Sequence, residues 1–372
     1  MTKPHILIPI HDFNPGGTEA IALRLAGEWL QRGWQVSVLA GDAAGPMRAR
    51  VPPGAEVHLL NPQVPRSALS RLKLGQAMAA QAQTIAPDLV FIIGNFHFIL
   101  AHALKRALPG VLIVAKISNP LLPEGLVRQL AAGPAKSLLR RYLAPIDQVV
   151  AMTASQARDF HAVVPTMPLT VIADPNVPDE LQLPAMRDRR ASAGPIELTL
   201  VGRLEPQKDV ALALKVLAAL LQTRDARLTV LGEGYLRGKL EVKARQLRLG
   251  DRLALPGFSD RVGEVLSASD LLLITSHYEG VPGAAFEALA AALPVVSTDC
   301  SEGLALILHD PRLGRIVAGR DPQAIAAALI AQMAEPPAPP ELLEQTLAPS
   351  RFSAAADAYL QVFEAALGSR SA

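Results

Sequence analysis

The sequence predicts an α/β protein made of two tandem doubly wound, Rossmann-like parallel-sheet domains facing each other across a cleft. Three observations lead there. Short β-branched runs alternate with stretches of helical hydrophobic spacing. The alternation breaks once, between Pro165 and Pro195, where six prolines and the charged run MRDRRASAG fall. The chain has 372 residues, half of them hydrophobic, enough for two cores of ordinary size.

In order, HILIPI reads as a strand and HDFNPGGTE as a glycine-containing loop. AIALRLAGEWLQRG then places apolar residues on one helical face and stops at Gly33. QVSVLAG, PDLVFIIG and VLIVAKIS are further strands, with ILAHALKRAL as a helix between the last two. Strands that are apolar on both faces belong in a parallel sheet covered on both sides. After the proline-rich stretch the pattern restarts with IELTLVGR, RLTVLGEG, RLALPG, LLLITS and LPVVSTD as strands, and with helices between them. The expected organisation is a first domain at 1–168, a connection at 169–195, a second domain at 196–345, and a C-terminal helix at 346–372 that returns to the first domain. Two such sheets would hold one ligand beyond the carboxyl ends of their strands.

Bulk properties narrow the classes. A net charge of +2 argues against a dedicated nucleic-acid binder, so no nucleic-acid partner is expected. Cys300 is the single cysteine, which excludes an internal disulfide and fits a reducing cytoplasm. The start, MTKPHILIPI, runs straight into a strand and does not read as a signal peptide. The most apolar window, LVFIIGNFHFILAHAL, is too short and too polar to span a bilayer. Residues 65–141 nevertheless hold ten Lys or Arg against two acids. That excess reads either as a scattered solvated surface or as a face for an anionic acceptor or a membrane.

The residues with most to say about chemistry lie in SHYEGVPGAAFEALAAALPVVSTDC. Glu279 and Glu287 flank a turn and the start of a helix. Paired hydrolytic carboxylates stand roughly 5 to 9.5 Å apart. Eight residues of helix rise about 12 Å, so the two are expected to hold separate ends of a longer ligand. Pro282 and Gly283 open the helix, and its first free N–H groups, with Val281 before them, suit an anion. A sugar–diphosphate–ribose layout fits that order. The alternative leaves Glu279 as a helix cap and Glu287 as a solvated helix residue. In VGRLEPQKD, Arg203 and Lys208 bring two cations to a strand end, with Asp209 as an N-cap. In LGEGYLRG, Gly232 and its neighbour Glu233 sit at another strand end, where Gly232 and Gly234 would permit close backbone approach. The spacing to Gly238 misses the dinucleotide fingerprint by one residue. In NPGGTE, Gly16 and Gly17 would line a cleft or form a plain turn.

Taken together, these motifs resemble the retaining glycosyltransferases of the GT-B fold, family 4, over nearly the whole chain. The carriers are GGTEAIALRLAGEWLQRGWQVSVLAG, VGRLEPQKD, LGEG, LPGF and EGVPGAAFEALAAALPVVSTD, in order. The resemblance implies a cytoplasmic enzyme, at the inner face of the membrane if the basic stretch and RQLAAGPAKSLLRRYL meet anionic lipid. It would move a hexosyl or N-acetylhexosaminyl group from a nucleotide-sugar donor, a UDP-sugar for instance, to a glycan or glycolipid acceptor, with retention. By the same resemblance, Gly16 and Gly17 would lie by the donor diphosphate, and Arg203 and Lys208 would neutralise it. Glu279 would touch the sugar and Glu287 the ribose. Val281, Pro282 and Gly283 would present amides, Gly232 and Glu233 would join the donor site, and Asn176 would be a hinge residue.

No cofactor is expected. The chain has no Asp-x-Asp and no His/Cys cluster at metal-ligand spacing, so transfer is expected to proceed without a metal. Two departures from the family pattern stand out. Ser118 and Asn119 occupy the place of a frequent histidine, which leaves His97 as the nearest catalytic candidate, or as a packed loop histidine. Leu306 occupies a common glutamate position. An epimerase or hydrolase on a similar fold, or a non-catalytic nucleotide-sugar-binding subunit, remain the competing readings.

Overall fold

A computed structural model describes residues 3–14, 16–67, 70–119, 134–190 and 194–371. The chain divides into two compact units, Met1–Asp179 with Ser350–Ala372, and Glu180–Pro349.

The first unit is built on a parallel sheet of seven strands: β1 (His5–Ile10), β2 (Gln35–Ala40), β3 (Glu56–Leu59), β4 (Leu89–Ile92), β5 (Leu112–Lys116), β6 (Gln148–Ala151) and β7 (Leu169–Val171). Their spatial order is β3-β2-β1-β4-β5-β6-β7. Alternation along the strands divides the core in two. Ile6, Ile8 and Ile10 face one layer with Phe91 and Val114, while Leu7, Val90, Ile92 and Ile113 face the other. The sheet extends past residue 168, because β7 pairs with β6. The first three residues of the supposed connection therefore belong to the first sheet.

The last helix, Phe352–Ser371, packs on the first, Gly17–Gln31. Its Tyr359 and Phe363 meet Trp29 edge-on, at ring-centroid distances of 6.0 and 5.1 Å. All three rings are fully buried, and burial of each is worth about 1.5–3 kcal/mol. Two passages of chain through this unit run side by side. Asn176 and Val177 both donate from their backbone N–H to Ser350 O at 2.9 Å, and Phe352 N donates to Val177 O at 2.9 Å. Beneath them a buried Lys116–Asp174 pair closes at 2.7 Å.

The second unit has six parallel strands: β8 (Ile196–Val201), β9 (Ala226–Leu231), β10 (Leu253–Gly257), β11 (Leu271–Ile274), β12 (Val295–Thr298) and β13 (Gly314–Val317). They are ordered β10-β9-β8-β11-β12-β13. The charged run taken as a loose connection is pinned to this unit. Arg187 and Arg189 both reach Asp270, and Ala338 N donates to Met186 Sδ at 3.3 Å. Burial, reinforced by the neighbouring Arg187, pushes the Arg189 guanidinium down to about 10.

Both sheets reverse direction of growth at one seam, between β1 and β4 in the first and between β8 and β11 in the second. Chain leaving two adjacent strands there turns to opposite faces, so the loops part and leave a crevice at the carboxyl ends.

The excess of cations in 65–141 is partly neutralised within the fold. Arg66 forks onto Asp12, Lys105 reaches Asp147 at 2.8 Å, and Lys116 is the buried partner of Asp174. Residues 128–133, the start of RQLAAGPAKSLLRRYL with Arg128, lie outside the described residues; the helix Pro134–Leu143 exposes Leu138, Arg140 and Arg141.

Candidate active site

At the seam of the second sheet, the loop after β8 forms a short 3-10 turn, Pro206–Lys208. It ends at Asp209 in the left-handed region, φ 40°, a conformation a short polar side chain tolerates. The Asp209 carboxylate then accepts from Leu212 N at 3.2 Å and caps the helix Val210–Leu220. Lys208, fixed just before the cap, aims across the seam at the loop after β11. Its Nζ lies 2.5 Å from Glu279 Oε1, and Ser276 Oγ donates to the same oxygen at 2.7 Å. Glu279 is nearly buried, with a side-chain exposure of 9%. The structure thus joins two residues that the sequence had placed in separate motifs.

The loop carrying Glu279 is braced at every step. His277 N donates to Gln207 O at 2.8 Å, and Gln207 Nε2 returns a bond to Tyr278 O at 3.0 Å. Thr275 Oγ1 donates to the carbonyls of Lys208 and Asp209 at 3.0 and 3.1 Å. Glu279 N donates to Cys300 O at 2.7 Å, and Ser301 Oγ to Gly280 O at 2.5 Å. Burial, with the Glu279 charge adding to it, pushes the Cys300 thiol up to about 11. Four residues after Glu279 the helix Gly283–Ala290 begins after Pro282 without any side-chain cap, so the amides before Ala285, whose own N–H donates to Pro282 O at 3.0 Å, have no side-chain acceptor. Val281, Pro282 and Gly283 stand at this opening, and Glu287 lies partly buried one turn further along. Lys208, Thr275, Ser276, Pro282 and Ala284 line one small cavity at the ends of β8 and β11.

The remaining candidates of this unit are placed differently. Arg203 is half exposed and turned onto Glu205 Oε1 at 3.0 Å within its own loop. Glu233 takes a fork from Arg237, at 2.5 and 3.0 Å. Gly232 and Gly234 owe their lack of a side chain to the protein itself. A Cβ on Gly232, at φ 147°, would overlap the Gly202 carbonyl, and one on Gly234 would lie 2.5 Å from Leu204 O. Close approach of backbone to backbone, between the loops after β8 and β9, is what these two glycines allow.

At the seam of the first sheet, the loops after β1, β4 and β5 meet. Gly17 begins the first helix and Gly16 caps it. A Cβ on Gly17 would meet nothing within 4 Å, whereas one on Gly16 would run into the Glu19 carboxylate. Asp12, 1% exposed, is gripped by Arg66, which also stands 3.7 Å from Glu19. Burial works to raise the Asp12 pKa, but the hydrogen bonds from Arg66 and Asn14, with the Arg66 charge, together outweigh it and hold the carboxyl below its usual range. His97 is largely buried in the 3-10 turn Asn95–His97. Ser118 and Asn119, at the place of the frequent histidine, brace that turn. Asn95 Oδ1 accepts from Ser118 N at 2.8 Å, and Asn95 Nδ2 donates to Asn119 O at 2.7 Å.

One side chain that the sequence motifs did not single out dominates the second site. Arg320, after β13, donates to Asp209 Oδ2 at 2.6 Å, Thr275 O at 2.7 Å and Ser276 O at 2.9 Å. The only trace in sequence is an arginine between a strand and the Asp-Pro start of a helix. Among the described residues no three His, Cys, Asp or Glu side chains gather as a metal-ligand group, and no helix is long and apolar enough to cross a membrane.

Comparison with known proteins supplies the lineage. Residues 15–174 match the family described as "Glycosyltransferase Family 4", and residues 185–346 match "Glycosyl transferases group 1". A stretch of 117 residues is 31% identical to the N-acetylgalactosamine-N,N'-diacetylbacillosaminyl-diphospho-undecaprenol 4-alpha-N-acetylgalactosaminyltransferase of Campylobacter jejuni, covering 32% of each chain. Another of 153 residues is 34% identical to glycogen synthase of Mycobacterium tuberculosis, covering 40% of this chain and 37% of that one. Such matches span 26% to 55% of the length of the curated relatives. The fold as a whole is similar to that of the Anabaena protein HepE in complex with UDP and glucose, with a TM-score of 0.75 at 16% identity over 97% of this chain and 99% of that one. It is also similar to sucrose-phosphate synthase of Thermosynechococcus elongatus, with a TM-score of 0.78 at 18% identity over 98% and 100%. With two family matches that together take in most of its residues, and with two Rossmann-like units of the GT-B type, the chain belongs to the group 1 glycosyltransferases, family 4.

Proposed function

We propose that this protein is a retaining, metal-independent glycosyltransferase. It takes a hexosyl or N-acetylhexosaminyl group from a nucleotide-diphosphate sugar, a UDP-sugar for instance, and passes it to a glycan or glycolipid hydroxyl in cell-surface polysaccharide or lipopolysaccharide synthesis. The observation that carries the reading is the Lys208–Glu279 pair at the seam of the second sheet, beside an uncapped helix N-terminus. A carboxylate accepts hydrogen bonds from two neighbouring sugar hydroxyls. Beside it, an ammonium and open amides suit a diphosphate.

In this mechanism the bond between the sugar C1 and the diphosphate oxygen breaks, and the electron pair leaves with the phosphate. Lys208 and the first amides of the helix Gly283–Ala290 stabilise the charge that develops. Arg203 joins them by turning from Glu205. The acceptor oxygen bonds to C1 on the face the phosphate leaves, and its proton passes to the departing phosphate oxygen. Glu279 orients the sugar and Glu287 holds the ribose. His97, Gly16 and Gly17 are the first unit's own candidates for substrate binding, at the seam of its sheet. These cations and amides supply the electrophilic assistance that a metal would otherwise provide.

The relatives support the substrate classes. The Anabaena structure is a complex with UDP and glucose, and the Campylobacter protein is named for a diphospho-undecaprenol acceptor. The exposed Leu138, Arg140 and Arg141 support contact with an anionic membrane surface, at the cytoplasmic face. The test is a transfer assay over UDP-, GDP-, ADP- and TDP-sugars with oligosaccharide and polyprenyl-linked acceptors, with the product anomer read by NMR. One donor giving an acceptor-dependent product of unchanged anomeric configuration is expected. Free sugar or an isomerised donor formed without acceptor would replace this reading with a hydrolase or an epimerase.

A further inference from the structure

Arg320 occupies a singular position among the loops of the second unit. It stands after β13, the edge strand, yet its guanidinium reaches past β12 to the ends of β11 and β8. Adjacent strands lie about 4.8 Å apart, so this reach crosses roughly 10 Å of sheet before it meets the β11 loop. A side chain committed to that span, at 32% exposure, loses considerable rotamer freedom. What it holds at the far end indicates its use.

Its three acceptors all belong to the frame around Glu279. Ser276 O and Thr275 O belong to the turn that leads into Glu279, and Ser276 Oγ is the donor that shares Glu279 Oε1 with Lys208. Asp209 Oδ2 follows Lys208 directly, and Thr275 Oγ1 bonds back to the carbonyls of Lys208 and Asp209. The guanidinium thus fixes both sides of the Lys208–Glu279 pair at once, and its charge offsets Asp209, the carboxylate nearest to Lys208 in the chain. His277 Nε2 also faces Asp209 Oδ2, at 3.4 Å, and gives a weaker second support. A planar fork serves three fixed acceptors better than the single point of an ammonium.

Resting on the transferase reading above, we infer that Arg320 is a positioning residue of the active site: it touches neither donor nor acceptor, and sets the angle at which Glu279 and Lys208 meet the sugar and its diphosphate. Loss of Arg320 would then slow transfer without weakening the hold on the nucleotide.

The test uses the full chain with Arg320→Met and Arg320→Lys, alone and in a Glu279→Gln background. Steady-state transfer is measured with whichever nucleotide-sugar the wild type uses, and amide hydrogen exchange is followed over 275–280. Arg320→Met is expected to lower kcat about 10- to 100-fold with donor KM within about twofold. Arg320→Lys should recover part of the loss, and the fold-loss from replacing Arg320 should be smaller in the Glu279→Gln protein than in the wild type. Exchange over 275–280 should rise while that of the strands is unchanged. Wild-type kcat in Arg320→Met, or equal losses in both backgrounds, would overturn the inference and leave the transferase reading standing. A wild-type protein that transfers no sugar, or a Glu279→Gln protein that transfers normally, would sink the transferase reading. The exchange result then decides whether Arg320 orders the loop: faster exchange supports that role and unchanged exchange ends it. Should Arg320→Met not fold, the same readouts on Arg320→Lys decide, through a partial loss of kcat or none.

Discussion

Lys208 Nζ and Glu279 Oε1 stand 2.5 Å apart across the seam of the second sheet, on loops 71 residues apart in the chain. Neither residue is in bulk water, with side-chain exposures of 21% and 9%. Removing either one leaves the other with an incompletely satisfied charge. Glu279→Ala and Lys208→Met are each expected to reduce transfer by at least about 100-fold. Each should also destabilise the second unit by about 1–3 kcal/mol. The double variant should be no less stable than either single one, because no lone charge remains. Circular dichroism in urea measures the stabilities, and the transfer assay measures the rates.

Two glycines assigned to the donor site separate by structure. Gly232 has φ 147° and abuts the Gly202 carbonyl, whereas Gly17 has open space where a Cβ would stand. Gly232→Ala is expected to cost the second unit more than about 2 kcal/mol. Gly17→Ala should leave stability unchanged or raise it by about 0.5 kcal/mol, since alanine favours a helix. If Gly17 flanks the donor diphosphate, the same substitution should still raise donor KM. Urea titrations paired with kinetics distinguish the two cases.

Cys300 provides a test by pH. With its thiol pushed up to about 11, the group stays protonated at pH 8 in the native protein. Iodoacetamide should label it slowly at pH 8, faster as pH rises toward 11, and rapidly in urea at pH 8, where the thiol regains an ordinary pKa. Mass spectrometry of the labelled chain gives the rates. Rapid native labelling at pH 8 would show that the loop behind Glu279 is open.

The buried Lys116–Asp174 pair should matter more for folding than for chemistry. Lys116→Met strands Asp174, 6% exposed, in the core of the first unit. A loss of about 3–5 kcal/mol is expected, and Lys116→Met with Asp174→Leu should recover most of it. Trp29 and Trp34, both buried in this unit, supply a fluorescence signal for its unfolding.

Much of this was legible in the sequence because hydrophobic spacing and strand-end motifs are local. Strands such as HILIPI, PDLVFIIG, IELTLVGR and LPVVSTD, the Asp209 cap and the helix opened by Pro282 each follow from a handful of neighbouring residues, whereas β3 and β6 were not legible as strands. The partnerships were not legible, because they depend on which strands become neighbours. Lys208 meets Glu279 only once β8 lies beside β11, and Arg320 reaches Asp209, Thr275 and Ser276 beside them only because β13 ends the same sheet. The reason for Gly232 and Gly234 was hidden in the same way: their neighbour is the backbone of another loop. The three-residue β7 was too short, and too close to prolines, to stand out from the connection.

The most direct test of the central claim, that the loops ending β8 and β11 hold a pyrophosphate-linked sugar, is calorimetric titration of wild-type and Glu279→Gln protein with a nucleotide-sugar donor and with its free nucleoside diphosphate. The wild type is expected to bind the donor more tightly than the diphosphate, and Glu279→Gln is expected to lose that preference while holding the diphosphate as before. Equal affinities of both proteins for the intact donor would contradict that claim.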